Sequence, residues 1–227
     1  MTRLTSPAGV GAILLLLAIA ATGYHAAVRF AAVMTAQEVR YHFERWESGK
    51  GKPQAGEVSA VEASLHRALD YEPRNPNLHW HLGRIDDWRI RSGSPADDES
   101  RTARQAALES FRQVALLRPT SGYSWIYIAR TRYMLGQIDA EFVLALQQAL
   151  RWAPWQPQTQ LLGIELGLAT WQLMPIDTQM LLLESIRRQA EWKMVDQKPA
   201  LIRLLRSYRR LELGCPWAGK ALACPGF

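Results

Sequence analysis

The hydrophobic and polar positions divide the chain into one continuously apolar segment and a series of amphipathic segments. Residues 4–28 contain no Asp, Glu, Lys or Arg, and their centre runs from Val10 to Ala21. About 20 apolar residues span the hydrocarbon of a bilayer as a helix, because every backbone hydrogen bond is made within the segment. The pattern therefore predicts an N-terminal transmembrane anchor over residues 1–34.

A cleaved signal peptide is the alternative for this segment. In that case Ala18, Ile19 and Ala20 form the small-residue cleavage site. The uncleaved anchor is favoured, because neither Pro nor a polar cluster interrupts the continuation of the helix to Met34. Both interpretations export the residues that follow. We therefore expect a single-pass protein of the inner membrane with the bulk of the chain in the periplasm, although the arginines around the segment do not decide its orientation.

Beyond residue 34 the apolar positions recur at spacings of three and four, which is typical of amphipathic helices. Near the C-terminus one side of such a helix is apolar and the other is basic. The apolar positions are Leu201, Leu204, Leu205, Tyr208 and Leu211, and the basic ones are Arg203, Arg206 and Arg210. We find no run of β-branched residues in period-two alternation. These patterns predict an all-α domain over residues 35–211 and a separate tail over 212–227, with Asp139 and Asp177 as helix caps.

Three segments repeat one arrangement: an amphipathic helix, then Pro, then a new helix. They end at Pro73, Pro119 and Pro154. Pro119 and Pro154 are 35 residues apart, close to the TPR period of about 34. Pro73 and Pro119 are 46 apart, and the extra residues fall in the loop 92–98. The arrangement predicts TPR-like helical hairpins, with a generic helical bundle as the alternative.

Positions within the repeats support this prediction unevenly. His79 and Trp125 each follow their Pro by six residues, at the place of the large residue of a TPR. Gly83 and Ala129 take the small position, where two helices of a hairpin approach closely. The third unit fits less well, because Gly163 is displaced by one residue from that position.

The formal net charge of +6 is concentrated near the C-terminus, where residues 185–213 carry eight Lys or Arg and three Asp or Glu. Such a surface suits anionic lipid, an acidic glycan or an acidic protein partner. A solvated helix face is the plainer alternative. We expect no nucleic-acid partner.

The two cysteines, Cys215 and Cys224, both precede Pro in the tail. Their even number and close spacing suit a disulfide that closes a short loop, as expected in an oxidising compartment. Two unpaired thiols are the alternative. A zinc site is not expected, because no second cysteine or histidine pair accompanies them.

Motifs of enzymatic chemistry are missing from the sequence. It contains no G-x-S-x-G nucleophile, phosphate loop or dinucleotide fingerprint. His79 and His81 are two residues apart on a predicted helix, so their rings point to different sides and a metal site is not expected. We therefore predict no catalytic residue, no metal, no cofactor and no enzymatic activity.

Nine tryptophans are many for a chain of 227 residues. Indole rings stack on sugars, so Trp152 and Trp155 are candidate contacts for a glycan or a partner. The basic candidates for the same contact are Arg203, Arg206 and Arg210. Packing of the tryptophans in the core is the alternative, because large aromatic residues dominate ordinary cores.

Residues 75–83, 118–129 and 153–171 together resemble the VpsP family of polysaccharide biosynthesis proteins. The resemblance extends from about Glu44 to Trp171 and is weaker beyond that. It implies a place in an exopolysaccharide locus, often beside exosortase-type machinery, and it supplies no catalytic residues. The expected function is that of a membrane-anchored accessory or scaffold protein whose partners are inner-membrane or periplasmic polysaccharide assembly proteins. A glycan-binding or glycan-modifying periplasmic factor is the alternative.

Overall fold

The computed structural model describes residues 7–49, 53–91, 98–191 and 198–216, and every regular element in these ranges is a helix. The α-helices are α1 (Pro7–Glu47), α2 (Ala55–Tyr71), α3 (Pro76–Arg91), α4 (Asp98–Leu117), α5 (Gly122–Met134), α6 (Ala140–Trp152), α7 (Pro157–Ala169), α8 (Ile176–Glu191) and α9 (Lys198–Ser207). Single 3₁₀ turns lie between α7 and α8, at Trp171–Leu173, and after α9, at Leu211–Leu213. The predicted all-α fold class is confirmed. Cys224 and most of the predicted tail lie outside the described residues.

Contacts along the chain form two compact units, residues 1–82 and 83–227. This division differs from the predicted boundaries after residues 34 and 211, which concern membrane insertion and the cysteine tail. Those boundaries stay predictions. Both fall inside helical elements, because α1 continues through Met34 to Glu47 without a break and the second 3₁₀ turn is Leu211–Leu213.

In the first unit, α1 combines an exposed apolar part with a packed part. From Val10 to Ala31 no side chain is buried, and Ala32 is the first that is. The helix is long and apolar enough to cross a membrane, and its most apolar stretch is not buried in the protein. Thr22, inside this stretch, donates its hydroxyl to the carbonyl oxygen of Ala18 at 2.7 Å. Its polar group is thus satisfied within the helix, as a lipid environment requires.

The C-terminal part of α1 packs against α2. Val39, Phe43 and Trp46 are buried on α1. The buried positions of α2 follow the same spacing of three and four, and they are Val58, Val61, Leu65 and Ala68. A helix with one apolar stripe is stable only when a neighbour covers that stripe, which explains why α2 folds back along α1.

In the second unit, each helix from α4 onward contacts the next one along the chain. Alternate helices also touch, because α5 contacts α7, α6 contacts α8, and α7 contacts α9. Such nearest-neighbour packing is expected of helical hairpins stacked one on another. It supports the repeat interpretation, and the assignment to TPR-like repeats stays a prediction.

The three turns at Pro73, Pro119 and Pro154 make the same backbone hydrogen bonds. The residue before each Pro donates to the carbonyl four residues earlier, and the residue two after it donates to the carbonyl just before the Pro. The first set is Glu72 to Ala68, Arg118 to Val114 and Ala153 to Ala149, and the second is Asn75 to Glu72, Ser121 to Arg118 and Gln156 to Ala153, all at 2.8–3.1 Å. Pro has no N–H to continue the helix, so each turn ends one helix and starts another.

A side-chain nitrogen six residues after each Pro closes the turn. His79 Nε2 lies 2.8 Å from the carbonyl oxygen of Pro73, and Trp125 Nε1 donates to that of Pro119 at 2.6 Å. In the third turn Gln160 Nε2 donates to the carbonyl oxygen of Ala153 at 3.0 Å. The third unit therefore has a related closure, with an amide instead of a ring and with the residue before Pro, instead of the Pro, as the acceptor.

In the third unit the small residue that lets the two helices of the hairpin approach lies at a different position from the predicted one. A Cβ on Gly83 would lie 2.7 Å from the Phe111 ring of the following helix, and one on Gly167 would lie 2.3 Å from Leu182 of the following helix. Gly163 instead faces Leu150 of the preceding helix. Gly167, rather than Gly163, lies against the second helix of its own hairpin.

The packing of α5 predicts that Gly122→Ala destabilises the protein. A Cβ at Gly122 would lie 2.5 Å from the Cβ and 2.8 Å from the backbone nitrogen of Ala153. Since backbone cannot yield as a side-chain tip does, we expect a loss of about 1–3 kcal/mol. Denaturant unfolding of the full chain in detergent, followed by circular dichroism, measures it.

Gly56→Ala is the matched control, because nothing lies within 4 Å of the added carbon in α2. It is expected to leave stability unchanged or to raise it by up to about 1 kcal/mol. Equal unfolding midpoints for Gly122→Ala and the unsubstituted chain would contradict the close approach of α5 to α6.

Candidate functional site

A groove opens between alternate helices of the second unit. It has a volume of about 180 Å³ and lies between α5 and α7, with Tyr208 just beyond the end of α9. The residues that line it are Arg130, Tyr133, Met134, Leu162, Glu165, Leu166, Ala169 and Tyr208. None of them except Tyr208 was singled out in the sequence, and Tyr208 only as part of an apolar stripe.

One stripe of α5 and one stripe of α7 have the same register, and the groove is lined by the part of each stripe nearer its C-terminal end, from Arg130 on α5 and from Leu162 on α7. On α5 the partly or fully exposed residues Tyr123, Tyr127, Arg130 and Met134 recur at steps of four, three and four. On α7 the corresponding exposed positions lie 35 residues later, and they are Gln158, Leu162, Glu165 and Ala169. Residues at these steps share one helix face. The spacing of Pro119 and Pro154 therefore sets these two stripes in register.

On α5 the groove is lined by Arg130, Tyr133 and Met134, and further aromatic rings lie along the same helix next to Arg130. The rings of Tyr123 and Tyr127 have centroids 5.5 Å apart, and Phe111 supports Tyr127 from behind at 5.1 Å. The guanidinium carbon of Arg130 lies 5.8 Å from the centroid of the Tyr127 ring. Aromatic surface of α5 thus adjoins the positive charge of Arg130 at this side of the groove.

The α7 side adds a carboxylate and the far wall adds a phenol. Burial raises the pKa of Tyr208, and the negative charge of Glu165 raises it further. The Tyr208 hydroxyl therefore stays protonated at neutral pH and can donate a hydrogen bond. The groove thus combines charges of both signs, two phenols and apolar walls.

Two ion-paired arginines hold α5 against its neighbours. Arg112 of α4 donates to both carboxylate oxygens of Glu141 at 2.7 Å. Arg132 of α5 forms ion pairs with Glu141, at 2.6 Å, and with Asp139. Asp139 also caps α6, as predicted, by accepting hydrogen bonds from the amides of Glu141 and Phe142. Glu141 therefore joins three helices, and α5 owes part of its position to it.

The second predicted cap is wrong. Asp177 is the second residue of α8, whose first residue is Ile176. It lies inside the first turn, where a carboxylate interacts favourably with the positive end of the helix dipole.

The candidate residues Trp152 and Trp155 lie on the surface, 50% and 72% exposed. Trp152 ends α6 and donates its indole N–H to Gln148 at 2.7 Å, and Trp155 lies in the turn before α7. Packing in the core therefore does not describe these two rings, although it does describe Trp46. Their exposure meets one requirement of a glycan contact, and that role stays a prediction.

The basic candidates lie on another element. Arg203 and Arg206 are exposed on α9, and Arg210 follows it, 3.5 Å from Glu212. The opposite face of α9 buries Leu201 and Leu205 in a core that α7 and α8 complete. The predicted amphipathic division of this segment is confirmed.

Cys215 is part of a disulfide. Its predicted partner Cys224 lies outside the described residues, so the pairing of these two stays a prediction. Among the residues that the structure describes, no group of three His, Cys, Asp or Glu could hold a metal ion.

Comparison with known proteins adds no family. No family model matches the chain, and no curated protein matches it significantly. The resemblance to the VpsP family stays a prediction.

The Glu141 network predicts a specific loss of stability at low pH. Hydrogen bonds from Arg112 lower the pKa of the Glu141 carboxyl, against the opposing effect of burial. A carboxyl whose pKa is lower in the folded than in the unfolded chain stabilises the fold at pH values above its unfolded-state pKa. This contribution is lost as the pH falls through the folded-state pKa. We expect Glu141→Gln to cost about 1–2 kcal/mol at pH 7, since partial exposure weakens the pairs.

Urea unfolding at a series of pH values measures this contribution. The difference between the unsubstituted chain and Glu141→Gln should shrink below about pH 4.5, the ordinary value for Glu. Glu109→Gln is the control, because the exposed Glu109 lies 3.4 Å from the same Arg112 and should matter by less than about 0.5 kcal/mol. A constant difference at every pH would exclude the ionised carboxylate as the cause.

Proposed function

We propose that this chain is a membrane-anchored scaffold protein of the periplasm that binds a protein partner in exopolysaccharide biosynthesis or export. The observation that carries the proposal is the groove of α5, α7 and Tyr208, whose two stripes share one register. Stacked helical repeats bind polypeptides on surfaces of this kind. The link to polysaccharide derives from the resemblance to the VpsP family.

The anchoring part of the proposal is supported by α1. Its apolar stretch is uncovered by protein, and the cost of exposing so many apolar side chains to water is avoided when lipid covers them. The periplasmic part is supported by the disulfide at Cys215, because such bonds persist mainly in oxidising compartments.

The chemistry of the groove favours an extended polypeptide segment that carries acidic residues. Arg130 supplies a positive charge inside the groove, and Arg209 and Arg210 follow directly after Tyr208. Glu165 and the phenol of Tyr208 match backbone amides or a basic side chain of the same segment. An acidic segment would thus meet complementary charge from the groove to the end of α9.

We predict that substitutions in the groove abolish partner binding and leave the fold intact. Tyr133→Ala and Arg130→Glu should each weaken capture of an envelope protein by about tenfold or more, which is typical of a central aromatic or Arg residue. Crosslinking in intact cells, followed by affinity purification of the full chain, measures capture. The same variants should fail to restore surface polysaccharide in a strain that lacks the gene.

Matched controls lie on α6. Leu144→Ala removes a side chain that is 47% exposed, against 40% for Tyr133, and Arg151→Glu reverses an exposed charge. Both should bind and complement like the unsubstituted chain. A deletion strain with normal surface polysaccharide would exclude the polysaccharide role, and equal capture by groove and control variants would exclude the groove.

Exposure of Trp152 and Trp155 supports a second candidate function, the binding of a glycan. For that function we expect the double variant Trp152→Ala, Trp155→Ala to lose binding to an anionic polysaccharide in affinity electrophoresis. Its stability should change by less than about 0.5 kcal/mol, since neither ring is buried.

Leu116→Ala is the control for this variant, because Leu116 is 74% exposed, close to the 72% of Trp155. Retained glycan binding by the double variant would eliminate the two rings as the contact. A large loss of stability would instead assign them a structural role.

A further inference from the structure

Ion pairs at both ends of α2 show which residues of α1 lie beside the turn that follows α2. At the start of α2, Glu57 binds Arg45 and lies 2.8 Å from His42 Nδ1. Just past its end, Glu72 lies 3.9 Å from Arg29. The two helices are therefore antiparallel, and the turn after α2 lies beside Arg29.

Arg29 marks the end of the part of α1 that suits a bilayer. Residues Pro7 to Val28 contain no charged side chain, and 22 residues at about 1.5 Å each match a hydrocarbon thickness of about 30 Å. Tyr24 is of a residue type that concentrates at the membrane–water boundary, and Arg29 is the first Asp, Glu, Lys or Arg after the apolar stretch. A chain that crosses the membrane through α1 consequently holds the turn after α2 at the level of the lipid headgroups.

The surface of this turn suits that environment. A groove of about 470 Å³ is lined by Arg29 and the residues from Glu72 to Pro76. Tyr71 beside it is 60% exposed, and Arg74 is exposed as well. Among the described residues that line the groove, Glu72 alone carries a carboxylate; it is partly buried and accepts a hydrogen bond from Asn75 Nδ2 at 2.7 Å.

We infer that the turn Tyr71–Pro76 is a second membrane contact, in which Arg29 and Arg74 bind the phosphate of an anionic phospholipid and the Tyr71 ring lies among the headgroups. This inference depends on the membrane anchoring proposed above and is independent of the partner groove. Each basic side chain at a membrane surface adds favourable energy with anionic lipid. Tyr at the boundary keeps its ring in an apolar layer and its hydroxyl in water.

Probes on three exposed side chains of the full chain test the contact. Tyr71→Cys, Tyr41→Cys and Leu15→Cys are labelled with an environment-sensitive fluorophore and reconstituted in nanodiscs of phosphatidylcholine and phosphatidylglycerol. Tyr41 is the matched control, because it is 63% exposed and lies twelve residues, or about 18 Å, beyond Arg29 on α1. The unsubstituted chain, labelled without reductant, gives the background from its own cysteines.

We expect iodide to quench the Tyr71 probe at least about threefold less than the Tyr41 probe, because headgroups shield the former. Arg74→Glu should remove much of this difference, and Arg40→Glu, which reverses a charge farther along α1, should preserve it. Equal quenching at Tyr71 and Tyr41, with the Leu15 probe still protected, would overturn the inference and leave the anchor and the partner groove standing.

Two further outcomes are decisive in different ways. A Leu15 probe open to iodide would remove the anchor, and with it both the contact and the membrane part of the proposed function. Protection of the Tyr71 probe that is unchanged by Arg74→Glu would overturn the binding of phosphate by this side chain.

Discussion

The continuity of α1 constrains everything in the first unit. The helix passes from a part that buries no side chain between Val10 and Ala31 into a part that buries Val39, Phe43 and Trp46, and no residue between them breaks its hydrogen bonds. In an unbroken helix the distance between two residues is fixed at about 1.5 Å per step. Whatever level the apolar part takes in a membrane therefore sets the level of α2 and of the turn that follows it.

A second constraint acts at the turns between hairpins. The carbonyl groups at the end of a helix and in the turn after it lack partners within the helix. At three turns of this chain the side chain six residues after Pro binds a carbonyl oxygen of the turn. His79 and Trp125 bind that of the Pro, and Gln160 binds that of the residue before it. Because a ring or an amide can serve equally well, the residue type varies while the position is kept. This is why the repeat is clearer in the hydrogen bonds than in the letters of the sequence.

The elements that depend on local patterns could be predicted from the sequence. The apolar segment, the helices that end before Pro, the division of α9 into two faces and the cap at Asp139 all follow from spacing within a few residues. The end of the predicted anchor could not be located from the sequence, because Ala32 is apolar for a packing reason and continues the same pattern. Apolar side chains suit both burial against α2 and burial in lipid, so the sequence pattern does not separate the two.

The candidate site was harder to predict for a related reason. Helix α7 contacts α5, α6, α8 and α9, so it is apolar around most of its circumference and has no marked polar face. Its exposed residues Leu162 and Ala169 resemble core residues in the sequence, and only their alignment with the α5 stripe reveals a surface. Trp152 and Trp155 show the opposite case. Their residue type alone predicts burial in the core, yet both rings lie on the surface.

The positive charge near the C-terminus covers less of the surface in the structure than the sequence predicts. Arg187 bridges Glu184 and Glu191 on α8, and Arg188 also lies 3.0 Å from Glu184. These pairs neutralise much of the positive charge on α8. Among the described residues no ion pair involves Arg203 or Arg206, so the remaining charge is concentrated on α9. Since Tyr208 just after α9 forms one wall of the groove, this charge adjoins the proposed binding surface, where it would increase the rate at which an acidic partner associates.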